Sequence, residues 1–457
     1  MKKIITLLIL HVTVFVLAQP GTLDTGFNAT SSGADDEVNI ISIQADGKII
    51  IGGRFINYNG ISKKTVARLN VDGSLDAGFD VGIGANADIW NSNIQSDGKI
   101  IIVGGFSTFN NISRDKIARL NPNGSLDLNY DPGSIIENYS IFNMAIQSDD
   151  KIVISSYPNN SNAPQDQFPV SRLNVDGSYD KGFISAIANN SIDAIAIQSD
   201  GKIVIGGGFN IINGISRNGL ARLNTNGSLD ASFNFGTEQI GGVWTMLMQS
   251  DGKILLGGDF GISRLNTDGS LDAGFNPAGT FEGAGVGAIA LQSDGKIVIG
   301  GNLTTFNTIS RNGIARLNTD GSLDASFNPG AGTNGIVADL SIQSDGKIVI
   351  GGDFTSYNGI GKNRITRING DTSLSVLEQI GLKTKIVLYP NPIKDVLNIQ
   401  NESNTEINTI TVTDLAGKKV LEQNNSSRVD VQHLAKGMYF LQAFSGKEKS
   451  TTKFIKE

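Results

Sequence analysis

The sequence predicts an all-β protein, a seven-bladed β-propeller followed by a small C-terminal β-sandwich, and three observations carry the prediction. The decapeptide QSDGKIVIGG stands at 198–207, 292–301 and 343–352, and looser copies begin at 44, 95, 147 and 249. The glutamines that open the seven copies are spaced by 51, 52, 51, 51, 43 and 51 residues. That period suits propeller blades, whereas β-helix rungs are much shorter. Within each copy two apolar runs flank an Asp-Gly turn, a strong hairpin signal because the turn needs positive φ. A motif repeated this faithfully is scaffold, since an active site needs only one copy of each catalytic group.

Residues 1–18, MKKIITLLILHVTVFVLA, have the layout of a secretory signal. Lys2 and Lys3 supply the basic start, Ile4 to Leu17 the apolar stretch, and Val16 with Ala18 a plausible cleavage site. The apolar run falls short of the ~20 residues that a membrane span requires. The expectation is an exported chain with no membrane span once the signal is removed.

Residues 20–370 hold the repeats. Each unit offers strand a, ending at the motif glutamine; strand b, such as KIVIGG; strand c, such as LARLN; and a fourth segment d, such as SLDASFN. Copies of d lie at Leu23–Phe27, Leu75–Phe79, Leu126–Tyr130, Tyr179–Phe183, Leu229–Phe233, Leu271–Phe275 and Leu323–Phe327. The series therefore opens on a d segment and ends on a c strand, ITRIN at 365–369. A ring closed by both termini would show this offset, and closure removes exposed sheet edges. The alternative is that GDTSL at 370–374 finishes the last blade.

Strand a indicates how blades pack. One residue before the glutamine stand Ile43, Ile94, Ile146, Ile197, Met248, Leu291 and Ile342, and the preceding position is mostly small. Large residues on one face and small ones on the other suit sheets stacked around a crowded axis. The repeated unit resembles the delta-60 repeats of secreted bacterial proteins, which implies a β-propeller and brings no reaction with it. Blade 3 departs from the pattern at ISSYPNNSNAPQDQFPVSRLN, and blade 5 (GGDFGISRLN) has lost most of its b–c loop.

After a linker at 371–385, residues 386–457 show strand signals at VLNIQ, INTITVTD, RVDVQ and MYFLQAF, the spacing of a small β-sandwich. LYPNP at 388–392, DLAGKKV at 414–420, GMYFLQ at 437–442 and KFIK at 453–456 resemble the type A sorting domain of the type IX secretion system of Bacteroidota. The resemblance implies the type IX secretion machinery as partner, passage through the periplasm and export across the outer membrane. It also implies removal of this domain, with release or surface attachment of the rest. An ordinary carbohydrate-binding sandwich is the alternative.

Composition narrows the chemistry. There is no cysteine, and the two histidines are His11, in the signal, and His433, in the C-terminal segment. A propeller without His or Cys cannot host a Ser-His-Asp or Cys-His centre, nor a usual zinc site. A net charge of −7 leaves no basic footprint for nucleic acid. The aspartates of the DGK and DGS turns are explained by turn geometry. RLNVDGSLDAGF echoes a calcium loop with Asn70, Asp72 and Asp76 as ligands, but Arg68 and Phe79 then fall where ligands are required. No metal or cofactor is expected.

Strand alternation puts both Asp-Gly turns on one face, the turn face, and gathers the b–c and d–a loops on the opposite, variable face. Function is expected on the variable face. Its d–a segments carry Asp36, Asp88, Glu137, Asp193, Glu238, Glu282 and Asp339 at irregular offsets, as solvated loop charge would. Five residues before each glutamine stand Asn39, Trp90, Phe142, Asp193, Trp244, Gly287 and Ala338. By parity these share a face with the packed positions, so inter-blade packing is the expected role of the three aromatics. The other blades nevertheless manage without an aromatic there. A ligand site of Trp90, Phe142 and Trp244 at the channel mouth, with Asp88 and Asp193 to accept hydroxyl hydrogen bonds, is the functional alternative. The expected function is non-enzymatic binding or adhesion toward a polysaccharide or a surface protein. A hydrolase or lyase using variable-face carboxylates is the second expectation, and a purely structural surface role the third.

A chain lacking residues 386–457 is expected to keep its propeller folded and to remain in the periplasm. Fractionation that finds the truncated chain outside the cell would sink the sorting assignment.

Overall fold

The computed structural model describes residues 18–29, 32–133, 139–159, 164, 166–233, 235, 241–277, 281–371, 386–389, 393–401, 408–414, 418–424, 426–445 and 448–456. Residues 1–17 of the expected signal, 372–385 of the expected linker, Glu137, Glu238 and parts of the LYPNP, DLAGKKV and GDTSL stretches lie outside them. The described residues contain strands and no helix, and the chain divides into two compact units between Asp371 and Thr372.

In the first unit each repeat forms one antiparallel blade. In blade 1, strands Val38–Ile43, Ile49–Gly53 and Val66–Leu69 are a, b and c, and b lies between the other two. Strand b is buried along its whole length because another blade covers each of its faces. Seven apolar clusters result, one for each blade interface. The cluster of Phe27, Ile49 and Ile51 with Val349 and Ile365 joins the seventh blade to the first, so the ring is closed.

The fourth strand is reduced to one bridge per blade, such as Leu69 to Leu75. In the last blade that bridge runs from Ile368 to Leu23, so the N-terminal segment supplies the missing d strand. The seam copies a covalent turn in detail. In blade 1 the Gly73 N–H donates to Asn70 at 2.9 Å, and Asn70 N–H to Ser74 at 2.8 Å. At the seam the Gly21 N–H donates to Asn369 at 2.7 Å, and Asn369 N–H to Thr22 at 2.8 Å. Residues 20–24, PGTLD, thus take the place that DGSLD takes elsewhere. Gly21 has φ +88, and a Cβ there would strike the Asn328 backbone at 2.7–2.8 Å, so the position requires glycine.

One side-chain network recurs seven times on the turn face. The arginine of each c strand donates through Nε to the aspartate of its d segment at 2.7–2.9 Å, in the pairs Arg68–Asp76, Arg119–Asp127, Arg172–Asp180, Arg222–Asp230, Arg264–Asp272, Arg316–Asp324 and Arg367–Asp24. The lysine of the same blade's a–b turn reaches that aspartate too, as Lys48 does Asp76 at 2.9 Å and Lys347 does Asp24 at 3.0 Å. Burial alone would raise Asp76, but hydrogen bonds from Lys48, the Gly78 N–H and Arg68 outweigh it and hold the carboxyl at about 2. Asp24 is likewise held below the usual range, burial being outweighed by Lys347, Gly26 and Arg367.

The second unit pairs two sheets about one core. Strands Ile386–Tyr389, Val396–Asn401 and Arg428–Asp430 form one sheet. Lys419–Asn424, Thr409–Thr413, Gly437–Ser445 and Glu448–Lys456 form the other. Leu397, Ile410, Val412, Val429, Leu441 and Phe454 fill the space between them, the arrangement of a small sandwich.

Deleting residues 20–28 removes both the last blade's fourth strand and the partner of Arg367. Leaving one member of a buried ion pair alone costs about 3–5 kcal/mol, and an exposed strand edge invites association. The deletion is expected to lower the melting temperature by many degrees or to cause aggregation. Unchanged melting would mean that another segment closes the ring.

Candidate functional site

Every a strand breaks its register at one shared place, and that of blade 6 breaks at two more. The partners on strand b shift between Val38 and Ile40, Ile89 and Asn91, Ile141 and Asn143, Ile192 and Ala194, Val243 and Thr245, Val286 and Ala288, and Val337 and Asp339. The residue skipped is in each case the one five positions before the glutamine. A bulge re-aims that side chain, so parity does not hold there, and the three aromatics lie outside the apolar clusters that fill the blade interfaces. Phe142 is 44% and Trp244 39% exposed, and Trp90 is half-buried. The residue nine positions after the glutamine, a glycine in every blade but the third, faces the bulge. A Cβ on Gly104 or Gly352 would lie 2.0 Å from the carbonyl oxygen of Asp88 or Ile336. The close approach accounts for the glycine in strand b, while blade 3 keeps the bulge with Ser156 at that position.

Two of the three aromatics come together. The Trp90 ring lies 6.4 Å from Phe142 and 6.3 Å from Tyr157, and Phe142 lies 6.2 Å from Tyr157, edge to face. Beside them a pocket of about 230 Å³ is lined by Phe142, Tyr157, Phe168, Ser156, Ser191 and Asp193. Burial raises the Asp193 carboxyl above the usual range, against a 3.0 Å hydrogen bond from the Ser191 hydroxyl. Trp244 stands apart, its ring against the backbone of Gly242 and Gly285. Asp88 lies 3.5 Å from the Arg54 guanidinium and does not line the pocket. The site thus unites Trp90, Phe142 and Asp193 of the predicted group with Tyr157, Phe168 and Ser156, which sequence reasoning missed. Their signal was available, for all three fall in the stretch where blade 3 departs from the repeat.

A second correction concerns the acids. Asp339 is not loop charge but a residue of strand a. Its Oδ2 accepts the Ile41 N–H of the next blade at 2.6 Å and its Oδ1 the Leu340 N–H at 2.8 Å. Burial pushes its pKa up to about 7 in spite of both bonds. On the opposite, turn face a basin of about 1020 Å³ spans blades 3–5, lined by Gln147, Gln198, Gln249, Arg172 and Arg222. Four of these five are repeat residues tied into the ion-pair network, as in the bonds from Arg172 to Gln147 and from Arg222 to Gln198.

A family profile described as a domain of unknown function (DUF5122) beta-propeller matches residues 44–79, 95–130, 147–183, 198–233, 249–275, 292–327 and 343–374. The chain belongs to the DUF5122 β-propeller family. A second profile, the secretion system C-terminal sorting domain, matches residues 387–457, so this DUF5122 chain is addressed to the outer cell surface or the medium through the type IX machinery. No curated protein sequence matches it. Among solved structures, the extracellular domain of a hybrid two-component system protein from B. thetaiotaomicron is 14% identical with a TM-score of 0.47, covering 96% of this chain and 57% of that one. The chain thus spans little more than half the length of that protein domain. A gluconolactonase from Xanthomonas campestris is 13% identical with a TM-score of 0.38, covering 62% and 93%. YCF48 from Cyanidioschyzon merolae is 11% identical with a TM-score of 0.42, covering 74% and 96%.

Asp339 makes a pH prediction. Its folded value of about 7 exceeds the ordinary 3.8, so the folded state binds the proton more tightly. The associated stability is fully present below 3.8 and is lost as pH rises through about 7. Asn143 occupies the matching position in blade 3, where its Oδ1 accepts the Met144 N–H and its Nδ2 donates to the Asp193 carbonyl. Asp339→Asn is therefore expected to fold and to flatten the decline in melting temperature between pH 4 and pH 8. An identical decline in the variant would show that other groups cause it.

Proposed function

We propose that the propeller is a non-enzymatic binding module, displayed or released outside the cell, and that it engages a polysaccharide through the aromatic pocket of blades 2–4. The observation that carries this reading is a pocket lined by Phe142, Tyr157 and Phe168 with Asp193 at its wall, the Trp90 ring lying against Phe142 and Tyr157. Flat aromatic faces stack on the C–H face of sugar rings, and a carboxyl with a serine hydroxyl beside it accepts and donates hydrogen bonds to sugar hydroxyls. None of the residues that line this pocket is a lysine or arginine. The described lining offers no cation to an anionic ligand.

Hydrolysis is the competing reading, and it requires two carboxyl groups facing one glycosidic bond. Asp193 is the only carboxyl among the described residues lining the pocket, and Asp88 is engaged by Arg54. The geometry favours binding.

Trp90 provides the readout. Titrating a glycan panel into the protein is expected to give a saturable change in tryptophan emission that Phe142→Ala abolishes. Emission without ligand should be quenched by iodide, since Trp244 is exposed. New reducing ends or unsaturated products accumulating in the same mixtures, and lost in Asp193→Asn, would overturn binding in favour of catalysis.

A further inference from the structure

We propose that blade 3 carries a second binding site, on the flank opposite the aromatic pocket, for an uncharged, polyhydroxylated ligand about the size of a sugar unit. The site is a cavity of about 430 Å³ lined by Tyr139, Ser156, Pro169, Ser171, Tyr179 and Ser185, with Ile154 beneath. Ile154 and Tyr179 belong to the cluster that packs on Ile101 and Val103 of blade 2, which identifies the flank.

The cavity exists because one ring is missing. Eleven residues after the motif glutamine, blades 1, 2, 4, 5 and 7 place Phe55, Phe106, Phe209, Phe260 and Phe354; Phe260 is half-buried and the other four are 0–1% exposed. In blade 2 the ring of Phe106 packs in one cluster with Ile102, Ala118 and Leu126. Blade 3 has Pro158 at the phenylalanine position, and Ile154, Ser171 and Tyr179 where blade 2 has the other three. Loss of the aromatic ring has thus been accompanied by a gain of hydroxyls on the walls around the space it vacates. A vacancy produced by drift alone would be lined by the apolar residues that once held the ring.

The wall chemistry specifies the ligand. Tyr179 Oη lies 2.5 Å from Ser185 Oγ, which lies 3.5 Å from Ser171 Oγ. Hydroxyls both donate and accept, so such a cluster matches the alternating donors and acceptors of a sugar. The rings of Tyr139 and Pro169 offer apolar faces. Among the described residues no lysine, arginine, aspartate or glutamate lines the cavity, so a charged ligand would be desolvated against them without a partner. This site stands on its own cavity and does not rest on the aromatic pocket, although Ser156 lines both.

The test uses the full chain and short neutral gluco-, manno- and xylo-oligosaccharides, each beside its uronic-acid counterpart, in titration calorimetry. Tyr179→Leu with Ser185→Val restores the residues found at the matching positions of blade 1, Leu75 and Val81, so the fold is expected to be kept. Neutral oligosaccharide binding should weaken roughly tenfold or more in this double variant, and in Ser171→Leu, which fills the cavity. The uronic-acid counterparts should not compete for the site. Unchanged affinity and stoichiometry in both variants, or no neutral ligand binding to the parent protein, would overturn the proposal. Binding lost in the double variant but kept in Phe142→Ala would uphold this site and sink the aromatic one; the reverse pattern would do the opposite.

Discussion

The pairing of one arginine with one aspartate in each blade is the interaction on which the rest of the propeller depends. The fourth strand has few ladder hydrogen bonds to hold it, with a single bridge per blade. The arginine does that work and two further jobs. It donates to the next blade's c–d turn, as Arg68 does to Pro122 and Arg119 to Val175. Its guanidinium lies 4.7–4.9 Å over the centroid of the d-segment aromatic ring in all seven blades. A planar, permanently charged group with five donors suits a junction of this kind, and lysine would not replace it. At the seam within blade 7 no covalent c–d turn exists to accept from Arg316 of blade 6. Asp371 supplies a carboxylate instead, 2.8 Å from the Arg316 Nη1.

Much of this was legible in the sequence, because repetition turns a weak local signal into a strong one. The Asp-Gly turns, the apolar runs and the offset d segments fixed the blade count and offered Leu23 as the closing strand. The arginine network was in plain view in the recurring ARLN and SLD words, yet each reads as a turn residue or a surface charge when taken alone. What a repeat cannot reveal by itself is that two of its columns touch.

The site was less legible, for a geometric reason. Side-chain parity along a strand holds only while the ladder is regular, and the bulge inverts it at the position occupied by Trp90, Phe142 and Trp244. Asp339 shows the same limit, since an acid at a strand's mouth looks like loop charge until its partner N–H on the next blade is known. Blade 3 carried the opposite kind of information. Its loss of Gly-Gly and of the anchoring phenylalanine reads as decay of the motif, whereas in three dimensions both changes fall around pockets. Departures from a repeat mark where the scaffold has been released to other uses.

The seam also gives the molecule a polarity. The chain enters the ring at Pro20–Gly21 and leaves it at Gly370–Asp371, and both ends meet on the turn face, where Gly21 bonds Asn369 and Asp371 meets Lys296 and Arg316. Within the ring, both chain ends therefore lie on the side opposite the loop-bearing face.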